Sequence, residues 1–466
     1  MRNFATLTEL MPHQVDAVNK MIPTRIGALF MEQGTGKSRT AIELAKIRHK
    51  KIDHVVWFCP VSLKRTVYGE ILKHTDFTTD EICVFDDKVT DSEFPNVPWY
   101  IIGIESMSTS VRTILTAKKI ITDKTMVILD ESTYCKNHYA KRSERITGFS
   151  KIARYRLMMT GTPLTQGVVD LFAQMEFLSQ KILGYTSFYS FAANHLEYSE
   201  KFPGMITKAH NTEFLAAKIK PYVYQVTKDE CLSLPDKHYN TRYCYLTEEQ
   251  QEAYYSVKED LLRTIQNDML NSYEIFVTFT KLQQIVSGFW PRKRATRLLK
   301  HERLETLMSA INEFKPEKSV IWAKYHRDIN QISYALKREY GKDSVAEFHG
   351  GITERKKNDE LEKFRGNSRF LVATQSTGGH GLTLNEVTNV FFYNNGFKWS
   401  ERAQAEDRCH RIGQSHEVLY TDIHCSGTID DRIWRALVNK GSVVEEFRQE
   451  VQKVKKDRIR EWVKSL

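Results

Sequence analysis

The feature that most constrains this chain is a set of short, near-continuous apolar runs, each bounded by turn residues. Val55-Val56-Trp57-Phe58-Cys59, Tyr100-Ile101-Ile102-Gly103 and Met126-Val127-Ile128-Leu129 lie in the first third. Ser319-Val320-Ile321-Trp322-Ala323, Phe370-Leu371-Val372-Ala373-Thr374 and Val390-Phe391-Phe392-Tyr393 lie in the last third. Apolar runs without polar alternation read as strands buried on both faces, the condition of a parallel sheet. Helical patterns separate them, so the spacing predicts an α/β protein of two doubly wound lobes.

Between the two clusters, residues 165–300 change character. Val168–Leu178 and Glu248–Gln266 have helical periodicity and few strand signals, which reads as a mainly helical insertion carried between the lobes. The 466 residues suit two large lobes at roughly 150 residues per unit with insertions. The expected division is residues 1–235 for the first lobe, with the insertion starting near 165. Residues 236–300 are then a helical linker, and 301–466 a second lobe closed by a C-terminal brace helix.

Composition excludes several classes. No apolar run approaches the ~20 residues that span a bilayer, and the start, Met1-Arg2-Asn3-Phe4-Ala5-Thr6, has no signal-type apolar stretch. Seven scattered cysteines with no C-x-x-C pair argue against a disulfide framework and a thiolate zinc site. Reduced thiols point to a cytoplasmic compartment, host or bacterial, or to the nucleus in a eukaryote. With 68 Lys+Arg against 58 Asp+Glu, the net charge of +10 fits a polyanionic partner.

Three constellations carry chemistry. Gly34-Thr35-Gly36-Lys37-Ser38 follows the strand-like Ile26–Phe30 and opens the helical Arg39–Ile47. Glycines let backbone amides approach phosphate oxygens, and a helix N-terminus favours negative charge. Lys37 then reaches the β- and γ-phosphates and Ser38 ligates Mg²⁺. The full phosphate-loop pattern wants glycine where Met31 stands. Asp130-Glu131 directly follows Met126–Leu129, which puts two carboxylates at the end of a buried strand. Asp130 suits a Mg²⁺ ligand and Glu131 a base for the attacking water. Arg408 and Arg411, three residues apart and on one face if helical, suit stabilisation of charge on a γ-phosphate. The three together predict ATP hydrolysis with Mg²⁺.

In order along the chain, these elements resemble the Swi/Snf (sucrose non-fermenting two) family of superfamily-two helicase-like, DNA-dependent ATPases, of compact viral or prokaryotic type. The resemblance runs from Pro12-His13-Gln14 to the ending Asp407-Arg408-Cys409-His410-Arg411-Ile412-Gly413-Gln414, whose final glutamine is characteristic. It implies two RecA-like lobes with ATP between them, duplex DNA lying across both, and translocation without processive strand separation. Carried onto this sequence, Gln14 reads the adenine edge, and Gly34, Thr35, Gly36, Arg39 and Gly381 join the nucleotide site. Lys64 and Arg65, in Pro60-Val61-Ser62-Leu63-Lys64, contact the DNA backbone beside the turn in Tyr100–Met107. Thr160, Gly161 and Thr162 of Thr160-Gly161-Thr162-Pro163 pass the nucleotide's state to DNA, as do Gly378 and Gly379 of the glycine-rich Gly378–Leu384. Leu234–Lys237 and Lys281–Ile285 resemble further family elements. Asp130-Glu131-Ser132-Thr133 departs from the family's histidine-containing form, Asn394–Trp399 departs before the arginines, and His380 replaces an apolar residue.

The expectation is a monomeric ATP-driven motor on double-stranded DNA, with a recruiting protein and no membrane. Two other readings compete with it. A strand-separating helicase on single-stranded DNA or RNA needs a wedge element, and a non-catalytic DNA-binding scaffold needs a site that has lost turnover.

Overall fold

A computed structural model describes residues 1–86, 95–161, 163, 167–198, 206–266, 272–292, 295–313, 317–378, 382–439, 441 and 463. The chain divides into two compact units, Met1–Ser233 and Leu234–Leu466. Each is built on its own sheet.

The first sheet has seven strands in the order Ile82–Val84, Trp99–Gly103, His54–Cys59, Thr125–Asp130, Tyr155–Met159, Ile26–Met31, Val223–Val226. Every neighbouring pair is parallel. The apolar runs explain why. Along His54–Cys59, Val56 and Phe58 enter one core while Val55, Trp57 and Cys59 enter another. Ile101, Met126 and Ile128 share the second core, and Ile102, Val127 and Leu129 the first. A strand that feeds two cores cannot alternate apolar with polar, so the sequence shows an unbroken run. Each fully buried Leu, Ile, Val or Phe contributes about 1.5–3 kcal/mol of transfer free energy.

Parallel pairing brings the carboxyl ends of these strands to one edge. Leu29 pairs with Met159 and Met159 with Asp130. The turns after Met31, Asp130 and Met159 therefore emerge side by side, where open α/β sheets bind ligands.

The second sheet has six strands, ordered Lys237–Cys244, Val418–Cys425, Asn389–Phe392, Ser319–Ala323, Phe370–Thr374, Val345–Phe348, again all parallel. Val320 and Trp322 face one core, Ile321 and Ala323 the other.

The six apolar runs are strands, and the two parallel lobes are as expected. The stretch between them differs. It holds helices Asp170–Leu178, Phe188–His195, Thr212–Ile219, Glu248–Gln266 and Ser272–Val286. Val223–Val226, however, forms an edge of the first sheet, and Lys237–Cys244 an edge of the second. Residues 236–300 are thus part of the second unit instead of a separate helical linker. Lys237–Cys244 is polar because it lies at a sheet edge, so the apolar-run criterion misses it. The expected C-terminal brace helix lies outside the described residues.

Candidate nucleotide-hydrolysis site

The phosphate-type loop follows Ile26–Met31 and leads into helix Lys37–Arg48. Gly34 and Gly36 have φ of 81° and 86°, a left-handed backbone that favours glycine. Gly36 is the helix N-cap, and no side chain caps the first turn, whose amides therefore point at the loop. The Lys37 ammonium donates to the carbonyls of Met31 at 2.9 Å and Glu32 at 3.3 Å. It is thus folded back over the loop where phosphate oxygens can replace those carbonyls. Ser38, next along the helix, is half-buried.

His13 and Gln14 brace the loop from behind. The Gln14 amide donates to the Thr35 carbonyl at 3.1 Å and accepts from the Met11 amide at 3.1 Å. His13 Nε2 lies 2.8 Å from the same Thr35 oxygen. A Cβ on Gly36 would lie 2.1 Å from Gln14 Nε2. Arg39 does not join the loop as expected. Its guanidinium donates to the Thr8 carbonyl at 2.7 Å and pairs with Glu43 at 2.8 Å, pinning the N-terminal segment.

Asp130 ends its strand and is nine-tenths buried. One carboxylate oxygen accepts from the Glu131 amide at 3.0 Å, the other from Trp57 Nε1 at 3.4 Å. Burial, reinforced by the Glu131 charge and opposed by Lys37, pushes the Asp130 carboxyl up to about 7. Removal from water disfavours the charged form, and a divalent cation would supply the missing countercharge. The oxygen donors of Ser38 and Asp130 suit Mg²⁺, which is held by one or two protein oxygens plus substrate phosphates. Glu131 has φ of 49°, a left-handed conformation costing about 1–2 kcal/mol in a non-glycine residue. Strain of this kind clusters at functional sites.

The third turn closes against the other two. The Thr160 amide donates to the Leu29 carbonyl at 3.1 Å. A Cβ on Gly161 would meet Gln33 of the phosphate loop at 3.0 Å, so this glycine permits close backbone approach. Thr162 lies outside the described residues. Sequence reasoning missed Trp57, His13, Gln33 and Gln174, which act through their neighbours. Only the position of Trp57 in a strand adjoining Asp130 could have flagged it.

Two of the elements expected to contact DNA lie on the same unit. Val61–Leu63 is a single helical turn leading into helix Lys64–His74. The Val61 amide donates to Glu105 at 2.9 Å, which ties this element to the Glu105-Ser106-Met107 turn. The Lys64 ammonium donates to the Phe85 carbonyl at 2.8 Å, and Arg65 is exposed.

In the second unit the helix Trp399–Glu406 stops before the two arginines, so they do not share a helical face. Residues 407–413 form turns instead. These still bring both guanidinium groups to one segment. Arg408 Nη1 donates to the Leu382 carbonyl at 3.3 Å, and Arg411 Nη1 to Thr383 Oγ1 at 3.0 Å. That segment closes the glycine-rich element, of which Gly378 ends helix Gln375–Gly378. Gly379 and Gly381 lie outside the described residues. A third arginine, Arg402, is purely internal, paired with Glu406 at 2.8 Å and Asp422 at 2.5 Å. The departing Asn394-Asn395 segment is also tied down. Asn394 donates to Asp328 at 2.5 Å, and Gln283 of helix Ser272–Val286 donates to the Asn395 carbonyl at 2.8 Å.

Residues 13–288 match the SNF2-related domain. The chain belongs to the SNF2-related family. Residues 300–413 of this SNF2-related chain match the helicase conserved C-terminal domain. An ATP-dependent helicase of Mycoplasma genitalium is 27% identical over 68% of the chain and 30% of its own length. A putative ATP-dependent helicase/translocase of Bacillus subtilis is 26% identical over 69% and 35%. A SWI/SNF-related regulator of chromatin subfamily A-like protein 1 homolog of Caenorhabditis elegans is 25% identical over 94% and 62%. The chain thus spans between about a third and three-fifths of the length of these relatives. Among solved structures, the Sulfolobus solfataricus SWI2/SNF2 ATPase core in complex with dsDNA aligns with a TM-score of 0.44 and 22% identity, over 99% of this chain and 96% of that one.

Proposed function

We propose that this SNF2-related chain hydrolyses ATP and uses the energy to translocate along double-stranded DNA. The observation that carries the reading is the convergence of Lys37 with Asp130-Glu131 at one sheet edge, beside a loop with two left-handed glycines. Loop amides and Lys37 hold the phosphates of MgATP, and Ser38 and Asp130 hold its cation. Glu131 takes the proton from the attacking water. Arg408 and Arg411 stabilise the charge that develops on the γ-phosphate, which is the role of arginine fingers.

The family resemblance and the net charge of +10 support DNA as the track, with Arg65 and Lys64 among its phosphate contacts. Binding through the phosphate backbone carries no sequence information and weakens as salt rises. The seven cysteines, all free, suit a reducing compartment, cytosolic or nuclear. No helix among the described residues is long and apolar enough to cross a membrane. A monomer needs no partner residue for these roles, and a recruiting protein supplies location.

The test is steady-state ATP hydrolysis alone and with blunt duplex DNA, single-stranded DNA and RNA, beside Lys37→Ala and Glu131→Gln. Stimulation by duplex, lost in both variants, is the expected result. Stimulation confined to single strands or RNA overturns the duplex reading. Nucleotide binding without turnover on every substrate overturns the enzyme and leaves a scaffold.

A further inference from the structure

The carboxylate turn, Asp-Glu-Ser-Thr, is wired to the third turn through a buried side chain. Ser132, fully buried, donates its hydroxyl to Gln174 Oε1 at 2.6 Å. Gln174, also fully buried on helix Asp170–Leu178, donates both amide hydrogens. One goes to the Pro163 carbonyl at 2.8 Å and the other to the Asp170 carbonyl at 2.9 Å. The orientation of the amide is fixed by this set. Two carbonyls can only accept, so Nε2 must face them and Oε1 must face the hydroxyl.

Every hydrogen-bonding atom of the Gln174 amide is therefore used, and its two ends sit on the two turns. Ser132 is one residue from Glu131, and Pro163 follows Thr160-Gly161-Thr162. Gly161 packs on Gln33 of the phosphate loop, so the loop and the carboxylate turn reach the third turn by separate routes. Buried polar links of this kind act as a unit, since losing one member leaves the others unsatisfied. We propose that Gln174 is the positioning residue that couples the carboxylate turn to the turn that follows Met159 and holds Pro163. Movement of Glu131 when nucleotide binds or is hydrolysed then shifts Pro163, and with it the turn that answers to DNA. The inference rests on the proposed ATPase function.

The experiment uses the full chain and three single variants, Ser132→Ala, Gln174→Leu and Gln174→Glu, with the double variant Ser132→Ala/Gln174→Leu. Glutamate, held protonated in this fully buried site, keeps the acceptor for Ser132 and at most one donor for the Pro163 and Asp170 carbonyls, so it should fall between wild type and leucine. ATP turnover is measured with and without duplex DNA, and amide hydrogen exchange is followed over residues 156–164 with and without a non-hydrolysable ATP analogue. The expected result for Ser132→Ala and Gln174→Leu is basal turnover within about threefold of wild type, a DNA-stimulated to basal ratio reduced at least tenfold, and loss of nucleotide-induced protection over 156–164. The double variant should be no worse than the single ones, as expected for one shared link.

An unchanged stimulation ratio with retained protection overturns the coupling. So do additive losses, or a fall in basal and stimulated turnover by the same factor, which marks a merely structural role. A wild-type chain that neither turns over ATP nor gains protection fails the ATPase function itself. That result is told apart from failure of the link, where wild type is active and the variants match it.

Discussion

Asp130 sits where a carboxylate is costly, and replacing it should make the free protein more stable while destroying its function. The carboxyl is pushed up to about 7 from an ordinary 3.8, first by burial and then by Glu131. A carboxylate raised on folding binds protons more tightly in the native state, so stability falls as pH rises from about 4 to about 7. At about 1.4 kcal/mol per tenfold change in proton affinity, the penalty approaches 4 kcal/mol at pH 8 and is about 2 kcal/mol at pH 5. Asp130→Asn keeps the size and the acceptor for the Glu131 amide and removes the charge, at the loss of the longer 3.4 Å contact from Trp57. Thermal unfolding of the full chain without nucleotide should show a higher Tm for the variant at pH 8, and a gain about half as large at pH 5. For a unit of this size each kcal/mol moves Tm by roughly 2–4 °C. Magnesium and ATP should raise the wild-type Tm and leave that of the variant nearly unmoved. A variant less stable than wild type at pH 8, or a gain independent of pH, refutes the argument that burial of an uncompensated charge dominates this position.

Three further variants separate residues that hold the fold from those that work the site. Gly36→Ala forces a Cβ against Gln14 at a left-handed position; nucleotide binding by fluorescence titration should be lost, with destabilisation of about 1–2 kcal/mol. Arg402→Ala leaves Asp422 buried without its cation while Glu406 keeps Lys237 at 3.2 Å, which should cost about 3–5 kcal/mol in a denaturant titration. Arg411→Ala should leave the denaturation midpoint within a few tenths of a molar and lower DNA-stimulated turnover about a thousandfold. Equal effects of the two arginine variants on stability would sink the distinction.

The lobes were legible because their strands feed two cores and so carry unbroken apolar runs. Val418–Cys425 escaped that reading because Asp422 and His424 interrupt it. Both are buried, and they are compensated by Arg402 and by Asp431, which lies 2.6 Å from His424. Lys37, Asp130 and Glu131 could be read from spacing because their motifs are local. Gln174 could not, since the two turns it links lie 42 and 11 residues away in sequence. Whether Arg408 and Arg411 lie on a helix could not be read, because periodicity says nothing about where a helix stops, and this one ends at Glu406.

The edge strand Lys237–Cys244 has a consequence for how the chain acquires its shape during synthesis. Its partner Val418–Cys425 places Cys244 beside His424, 180 residues later. The first unit finds its last sheet partner by Val226, so it can complete folding while the remainder is still being made. The second unit is in the opposite position. Its first strand leaves the ribosome with nothing to pair against and must wait for almost the whole of that unit to emerge. Non-local pairing of this kind is slow, and an unpaired strand is open to aggregation. The polar, tyrosine- and lysine-bearing sequence of Lys237–Cys244 is what keeps that long wait harmless.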